Sequence, residues 1–173
     1  MGTVMQTVAE LMEIAAITAP KSAGKDFVVT KVLSHAETQR VGQEMVKYGE
    51  DTGKRNFDRD GGNVEHSEAI LLIGIKDAAA MGLNCGACGT IQCLKVNAGE
   101  QGGEFLGGQC LYRVLDMGIA IGSAVKTAMN LNVDNRIMYR IGVVARKLGL
   151  LDADFVMGIP LSVSGKNIYF DRS

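Results

Sequence analysis

The chain of 173 residues has no tryptophan, two prolines, two histidines and nine aromatic residues, four Tyr and five Phe. His35 and His66 stand alone, and neither has metal-ligand spacing to a cysteine, so both read as surface or capping residues. No apolar run approaches the ~20 residues of a membrane-spanning helix, and no membrane partner is expected. Nor does one sign of charge dominate: 18 Lys and Arg stand against 19 Asp and Glu. That balance lacks the basic excess of a nucleic-acid binder. The start, MGTVMQTVAELMEIAAI, has no basic region, and Glu10 and Glu13 interrupt its apolar stretch, so it does not read as a signal peptide. Gln6 stands where N-myristoylation expects Ser or Thr. The expectation is a cytoplasmic protein in a reducing compartment. There is no P-loop, no G-x-G-x-x-G after a strand, no Ser-His-Asp set and no H-E-x-x-H. No catalytic residue or substrate is therefore assigned.

What is present is a hydrophobic fraction of 47%, enough for one domain over residues 1–173 with a substantial core. Residues 3–17 repeat apolar side chains at helical spacing, and Thr18 to Gly24 is a loop punctuated by Pro20 and Gly24. Phe27–Leu33 is short and β-branched, a strand. Ser34, with Glu37 three residues on, predicts a capping box opening a helix that runs to about Tyr48. Residues 49–63, polar and glycine-rich, read as a loop, followed by a helical turn over Val64–Glu68. Ala69–Ile75 is a continuous apolar run, read as a central buried strand. Beyond the cysteines, a short helix is expected near Thr90–Asn97 and a flexible excursion over 99–108. Helical patterns then cover Cys110 to about Asn132 and Asn135–Leu148, the second stopping at Gly149. A strand follows over Asp154–Ile159, and Pro160 opens a tail that is loose unless docked. In the first of these helices the small residues of GIAIGSA would let another backbone approach closely, and Lys126 sits on what reads as a buried face.

All four cysteines fall in one stretch: Cys85, Cys88, Cys93 and Cys110, spaced C-x2-C-x4-C-x16-C. Thiols so clustered in a reducing compartment read as metal ligands rather than disulfide partners. Four soft ligands suit an iron–sulfur cluster or a zinc ion. Zinc sites more often pair two C-x2-C knuckles, and here the second is missing. Gly86 and Gly89 allow the tight turns that bring close thiolates to one point. Cys110 stands at the start of a long helix, whose dipole favours an anionic ligand.

The run Cys85-Gly86-Ala87-Cys88-Gly89-x3-Cys93, with the distant Cys110, resembles the small four-iron module of corrinoid iron–sulfur proteins. This implies one [4Fe–4S] cluster on an inserted module spanning 84–110. Over nearly the whole chain, TAPKSAG, GLNCGACG, IGSAVKTAMNLNVDNRIMYRIGV and LLDADFVMGIPLSVSGKNIYFDR resemble an uncharacterised ferredoxin-domain family of anaerobic bacteria and archaea. That likeness brings no catalytic residues with it. The first helix, the loop Ala19-Pro20-Lys21-Ser22-Ala23-Gly24 and the strand FVVTKV resemble the opening of FMN-dependent nitroreductases. Gly118-Ile-Ala-Ile-Gly-Ser-Ala124 and FVMGIPLS resemble that fold's second half. The likeness implies an α+β, nitroreductase-like fold, a sheet flanked by helices, as a homodimer with FMN at its interface. The arginine-rich segment that binds the FMN phosphate is absent before Ala19, and Lys25-Asp26 replace the Asn-x-Gln-Pro that would follow the loop. Lys21, Ser22 and Lys166 are the candidate substitutes for the phosphate contacts.

The expected function is an iron–sulfur protein carrying electrons through one cluster, extending to a flavin-linked reductase, with an unidentified redox partner. The alternative is a non-enzymatic binding or assembly module holding structural zinc or a transferable cluster. Asp58, Arg59 and Asp60 read as a solvated loop. Asp134, Asn135 and Arg136 read first as a capping and salt-bridge corner, and second as a cofactor or subunit contact. Asp171 and Arg172 are expected either to close over a site or to form an ordinary ion pair.

Overall fold

The computed structural model describes residues 2–93 and 103–170. Helix α1 is Gly2–Thr18, as its apolar spacing predicts, but the buried face is shifted: Met5, Val8, Ala9, Met12 and Ala16 point inward, while Val4 and Leu11 of the expected stripe Val4, Val8, Leu11, Met12 and Ala15 are exposed. Strand β1 is Val28–Leu33. Helix α2, His35–Thr52, opens with the predicted capping box. Ser34 Oγ accepts from the Glu37 N–H at 3.3 Å, and Glu37 Oε2 accepts from the Ser34 N–H at 2.9 Å. Helix α3 is Phe57–Glu65 and strand β2 is Ala69–Ile75. After the cysteine segment come helix α4, Leu111–Asn130, the two-residue strand β3, Asp134–Asn135, helix α5, Tyr139–Lys147, and strand β4, Phe155–Ser162.

The four strands order β1-β2-β4-β3 in one antiparallel sheet. Every residue of β2 is buried because it is central and covered on both faces. Its side chains alternate. Ala69, Leu71, Ile73 and Ile75 pack with α1 and α4, while Ile70 and Leu72 pack with α2, α3 and α5. The α+β fold with helices flanking a sheet is as the sequence predicts.

Several local expectations are corrected. Residues 49–63 are not a loop: α2 runs on to Thr52, and α3 begins at Phe57. Gly42 and Gly61 let these two helices touch, since a Cβ on either would fall under 3.0 Å from the other's carbonyl oxygen. The helix predicted at Asn135–Leu148 starts only at Tyr139, because Asp134–Asn135 pair with Ser162 and Leu161 of β4. β4 accordingly continues through Pro160; its outer neighbour is two residues long, and proline is tolerated where a strand is nearly an edge. Residues 90–93 are not helical, and the rest of the predicted 90–97 helix lies outside the described residues. Of the 99–108 excursion, the described part is anchored. Leu106 N–H donates to Asp154 O at 2.9 Å, and Phe105 packs on Phe155 with ring centroids 4.6 Å apart. The tail is docked by Tyr169, which is fully buried. Asp171 and Arg172 lie outside the described residues.

Candidate metal centre

One end of the sheet gathers the start of β1, the end of β2, the start of β4 and the first turn of α4. Lys76 N–H donates to Phe27 O at 3.0 Å and Asp154 N–H to Ile75 O at 2.7 Å. The cysteine segment springs from this end. Gly86 and Gly89 both take positive φ, +74° and +88°, and Gly89 N–H closes a turn onto Gly86 O at 2.9 Å. Asn84, itself at φ +48°, folds the loop back on itself. Its side-chain oxygen accepts from Cys93 N–H at 2.9 Å, and its own N–H donates to Cys93 Sγ at 3.3 Å. Cys110 is the N-cap residue of α4.

All four cysteines line one cavity of about 40 Å³, walled by apolar atoms of Ala80, Met81, Leu83, Leu111 and Tyr112. Cys110 is buried at its floor; Cys85 and Cys88 are exposed at its mouth. One water needs roughly 10–15 Å³ by the same measure, so the thiols ring a space larger than one small ligand. Among the described residues, no group of three or more His, Cys, Asp or Glu side chains is already drawn together as metal ligands. Four soft thiol donors around one cavity suit an iron–sulfur cluster or a zinc ion. Thr90 Oγ1 lies 3.3 Å from Cys88 Sγ and 2.8 Å from Gln92 O. The Thr90 hydroxyl and N–H hold the Cys88 thiol below its ordinary range. The hydroxyl has one proton, which serves Gln92 O while Cys88 is a thiol and can turn to the sulfur of a thiolate.

The three residues expected at a flavin phosphate are not gathered into one site. Lys21 Nζ donates to Ala16 O at 3.0 Å and Ile17 O at 2.5 Å, ending α1, and pairs with Asp26 at 3.4 Å. Ser22 donates both its N–H and its hydroxyl to Asp116 Oδ1, each at 2.7 Å. Lys166 follows β4 at the opposite end of the sheet, where its carbonyl accepts from the Ser164 hydroxyl. Within one chain, Lys21 and Ser22 are engaged by α1, Asp26 and Asp116, and Lys166 stands apart from them.

Sequence reasoning did not single out Arg113 and Asp116, which stand three residues apart on α4. Both are buried, at 2% and 3% exposure. Arg113 Nε donates to Ala79 O at 3.0 Å, and its Nη1 donates to Ser22 O at 2.9 Å, Lys25 O at 3.3 Å and Asp116 Oδ2 at 3.1 Å. Its guanidinium stacks on Phe27, 4.8 Å from the ring centroid. Burial pushes the Asp116 carboxyl up, but the Ser22 hydroxyl and N–H, together with Arg113, outweigh that and hold it below the usual range. The available signal was position: two charges on the helix face that also carries Met117, Ala120 and Ala124 inward.

Other expected residues settle elsewhere. Asp60 is buried rather than solvated, accepting from Arg59 at 2.7 and 3.0 Å and from Arg140 at 2.7 Å, with Arg136 3.9 Å away. Arg136 also donates to Tyr169 O at 2.8 Å, so its corner is a structural one. Lys126 is exposed, because α4 turns that face to solvent. His35 lies 4.0 Å from Glu68, and His66 Nδ1 lies 2.7 Å from Gly62 O; both are exposed.

Comparison with known proteins places these features. By fold, the chain superposes on nitroreductase A from Vibrio parahaemolyticus with a TM-score of 0.57 and 14% identity, covering 93% of this chain and 59% of that one. An FMN-bound nitroreductase from Desulfitobacterium hafniense gives 0.58 and 12%, with 92% and 78% covered. The FMN-dependent nitroreductase NfnB from Mycobacterium smegmatis, in complex with NADPH, gives 0.61 and 11%, with 96% and 82% covered. At these identities the likeness is one of fold, and the chain spans about three fifths of the length of the Vibrio enzyme. By sequence, an uncharacterized protein of Archaeoglobus fulgidus is 46% identical over 164 residues, 94% of this chain and 89% of that protein. A family model described as "Uncharacterized protein containing a ferredoxin domain (DUF2148)" matches residues 106–172, a segment that holds Cys110 but not the other three cysteines. On the relative's near-full-length match and this model, the chain belongs to the family of uncharacterized proteins containing a ferredoxin domain.

Proposed function

We propose that the chain is an electron-carrying iron–sulfur protein in which Cys85, Cys88, Cys93 and Cys110 hold one [4Fe–4S] cluster. The observation that carries this reading is that all four cysteines, spaced C-x2-C-x4-C-x16-C, line one cavity. The ferredoxin-domain description of the family model that matches residues 106–172, which include Cys110, agrees with it. When bound, such a cluster takes up and releases single electrons. The chain's own residues supply the rest. Cys110 presents its thiolate at the N-terminus of a 20-residue helix, where the dipole favours negative charge. Asn84 N–H and the Thr90 hydroxyl hydrogen-bond ligand sulfurs, which raises the potential. Exposure of Cys85 and Cys88 puts the centre's edge where a redox partner can reach it.

The nitroreductase fold supports extending this role to a flavin-linked reductase; within one chain Lys21 and Ser22 are engaged by other groups and Lys166 lies at the other end of the sheet, so a phosphate contact from all three would draw on both chains of a dimer. A homodimer is supported by α4, which leaves Leu115, Ile119 and Met129 exposed beside Gly118 and Gly122, where an added Cβ would meet nothing. This is an apolar seam with small residues, the composition of a helix–helix contact.

The test is anaerobic reconstitution with iron and sulfide, followed by reduction with dithionite. The wild type is expected to show broad visible absorbance that bleaches on reduction and gives an electron paramagnetic resonance signal, with Cys110→Ser largely losing both. Flavin bands in the protein as purified, with turnover of a reductant and an acceptor, would support the reductase extension; their absence would count against it. A colourless protein that takes up zinc instead would replace the reading with a structural or assembly module.

A further inference from the structure

The four-cysteine site has two covalent arms. One is the segment from the end of β2 through Ala79 to Cys85; the other is the turn from Cys110 into α4. No cysteine joins these arms unless a metal centre is bound. Arg113 does so with or without one: it rides on the first turn of α4, three residues after Cys110, and its Nε holds Ala79 O at 3.0 Å, six residues before Cys85. Its other end grips the carbonyls of Ser22 and Lys25, and Asp116 locks the guanidinium from behind while fixing Ser22 by two short bonds. One side chain thus ties three chain segments together beside the cysteine cavity.

Net stability is a poor reason for this arrangement. A buried ion pair is often no better for stability than apolar residues of the same volume, because both charges lose their hydration. What a planar guanidinium with several fixed donors offers is geometry, since each N–H direction is set by the one plane. Groups that orient metal ligands act in this way, and losing them typically weakens metal binding ten- to a hundredfold.

We propose that Arg113, oriented by Asp116, is a positioning residue for the metal centre: it holds the Cys110 arm at a set separation from the Cys85–Cys93 arm. This rests on the reading that the four cysteines bind one centre. The pair also links the Ser22 loop to that centre, so a shift of the loop is felt at the thiols.

The experiment compares iron release to a chelator from anaerobically reconstituted wild type, Arg113→Met, Arg113→Lys and Arg140→Met, with thermal melting of each apo form. Arg140 is a part-buried arginine on the other face of the sheet, held by Asp60. Expected are release about tenfold faster in Arg113→Met, an intermediate rate in Arg113→Lys, and a wild-type rate in Arg140→Met despite a lowered melting temperature. Arg113→Lys retains a cation for Asp116 and serves if Arg113→Met does not fold. Wild-type release rates in the Arg113 variants, or equal acceleration in Arg140→Met, would overturn the proposal. Failure of the wild type to take up iron or zinc would instead defeat the four-cysteine reading, and this proposal with it.

Discussion

Tyr169 shows how a single residue closes this fold. Its ring fills the layer between α2, α3, α5 and the sheet, and its hydroxyl lies 2.8 Å from Ser67 Oγ. Burial pushes its pKa up to about 12. Below pH 10 the residue is neutral whether folded or unfolded, so it contributes no pH dependence there. Between pH 10 and 12 the unfolded chain ionises and the folded one does not, so stability falls as pH rises through that window. Denaturant unfolding across pH 9–12 should show this loss in the wild type and a shallower one in Tyr169→Phe; equal slopes would remove Tyr169 as its source. A tyrosine in a short aromatic tail gives no sequence sign of burial, which only the docking of Ile168–Phe170 creates. The cysteines are the opposite case: their clustering along the chain already suggested one site, and all four line one cavity. The Arg113–Asp116 pair had only its position on the inward face of α4 as a sign, because charges three apart on a helix usually face water, and the chain folding over them makes this pair internal.

At the scale of elements, legibility followed local chemistry. α1 was visible in its apolar spacing, α2 in its capping box, and β2 in an apolar run that suits a strand covered on both faces. α3 was hidden because FDRDGGNVE has two adjacent glycines and several charges, all poor evidence for a helix. Tertiary contacts carry it: Phe57 and Val64 are buried, and Gly61 meets Gly42 of α2 at a distance no larger residue permits. The same device docks α5 on the sheet. A Cβ at Gly142 would fall 1.8 Å from Val156 O, and one at Gly158 would fall 2.1 Å from Ile141. Backbone on one side of the Gly142 contact cannot yield as a side-chain tip would. Gly142→Ala is expected to cost about 3 kcal/mol in urea unfolding, against a small gain if the site were an ordinary exposed helix position.

For the whole molecule, the decisive asymmetry lies between the two helical layers. The α1 and α4 layer keeps an apolar outer surface, with Leu11 and Ile14 on α1 and Leu115, Ile119 and Met129 on α4. Monomeric proteins rarely expose a large contiguous apolar patch. Sedimentation equilibrium should therefore give twice the chain mass for the wild type and the single-chain mass for the double variant Leu115→Glu, Ile119→Glu. A wild-type monomer would assign the seam to another partner. Because the seam begins beside Cys110, a dimer built on it would carry each metal centre at the border of the interface.

The central claim is the identity of that centre, and its most direct test is iron, acid-labile sulfide and zinc analysis of one anaerobically purified sample. The account predicts about four irons and four sulfides per chain, with zinc near zero. One zinc per chain without iron or sulfide would contradict it.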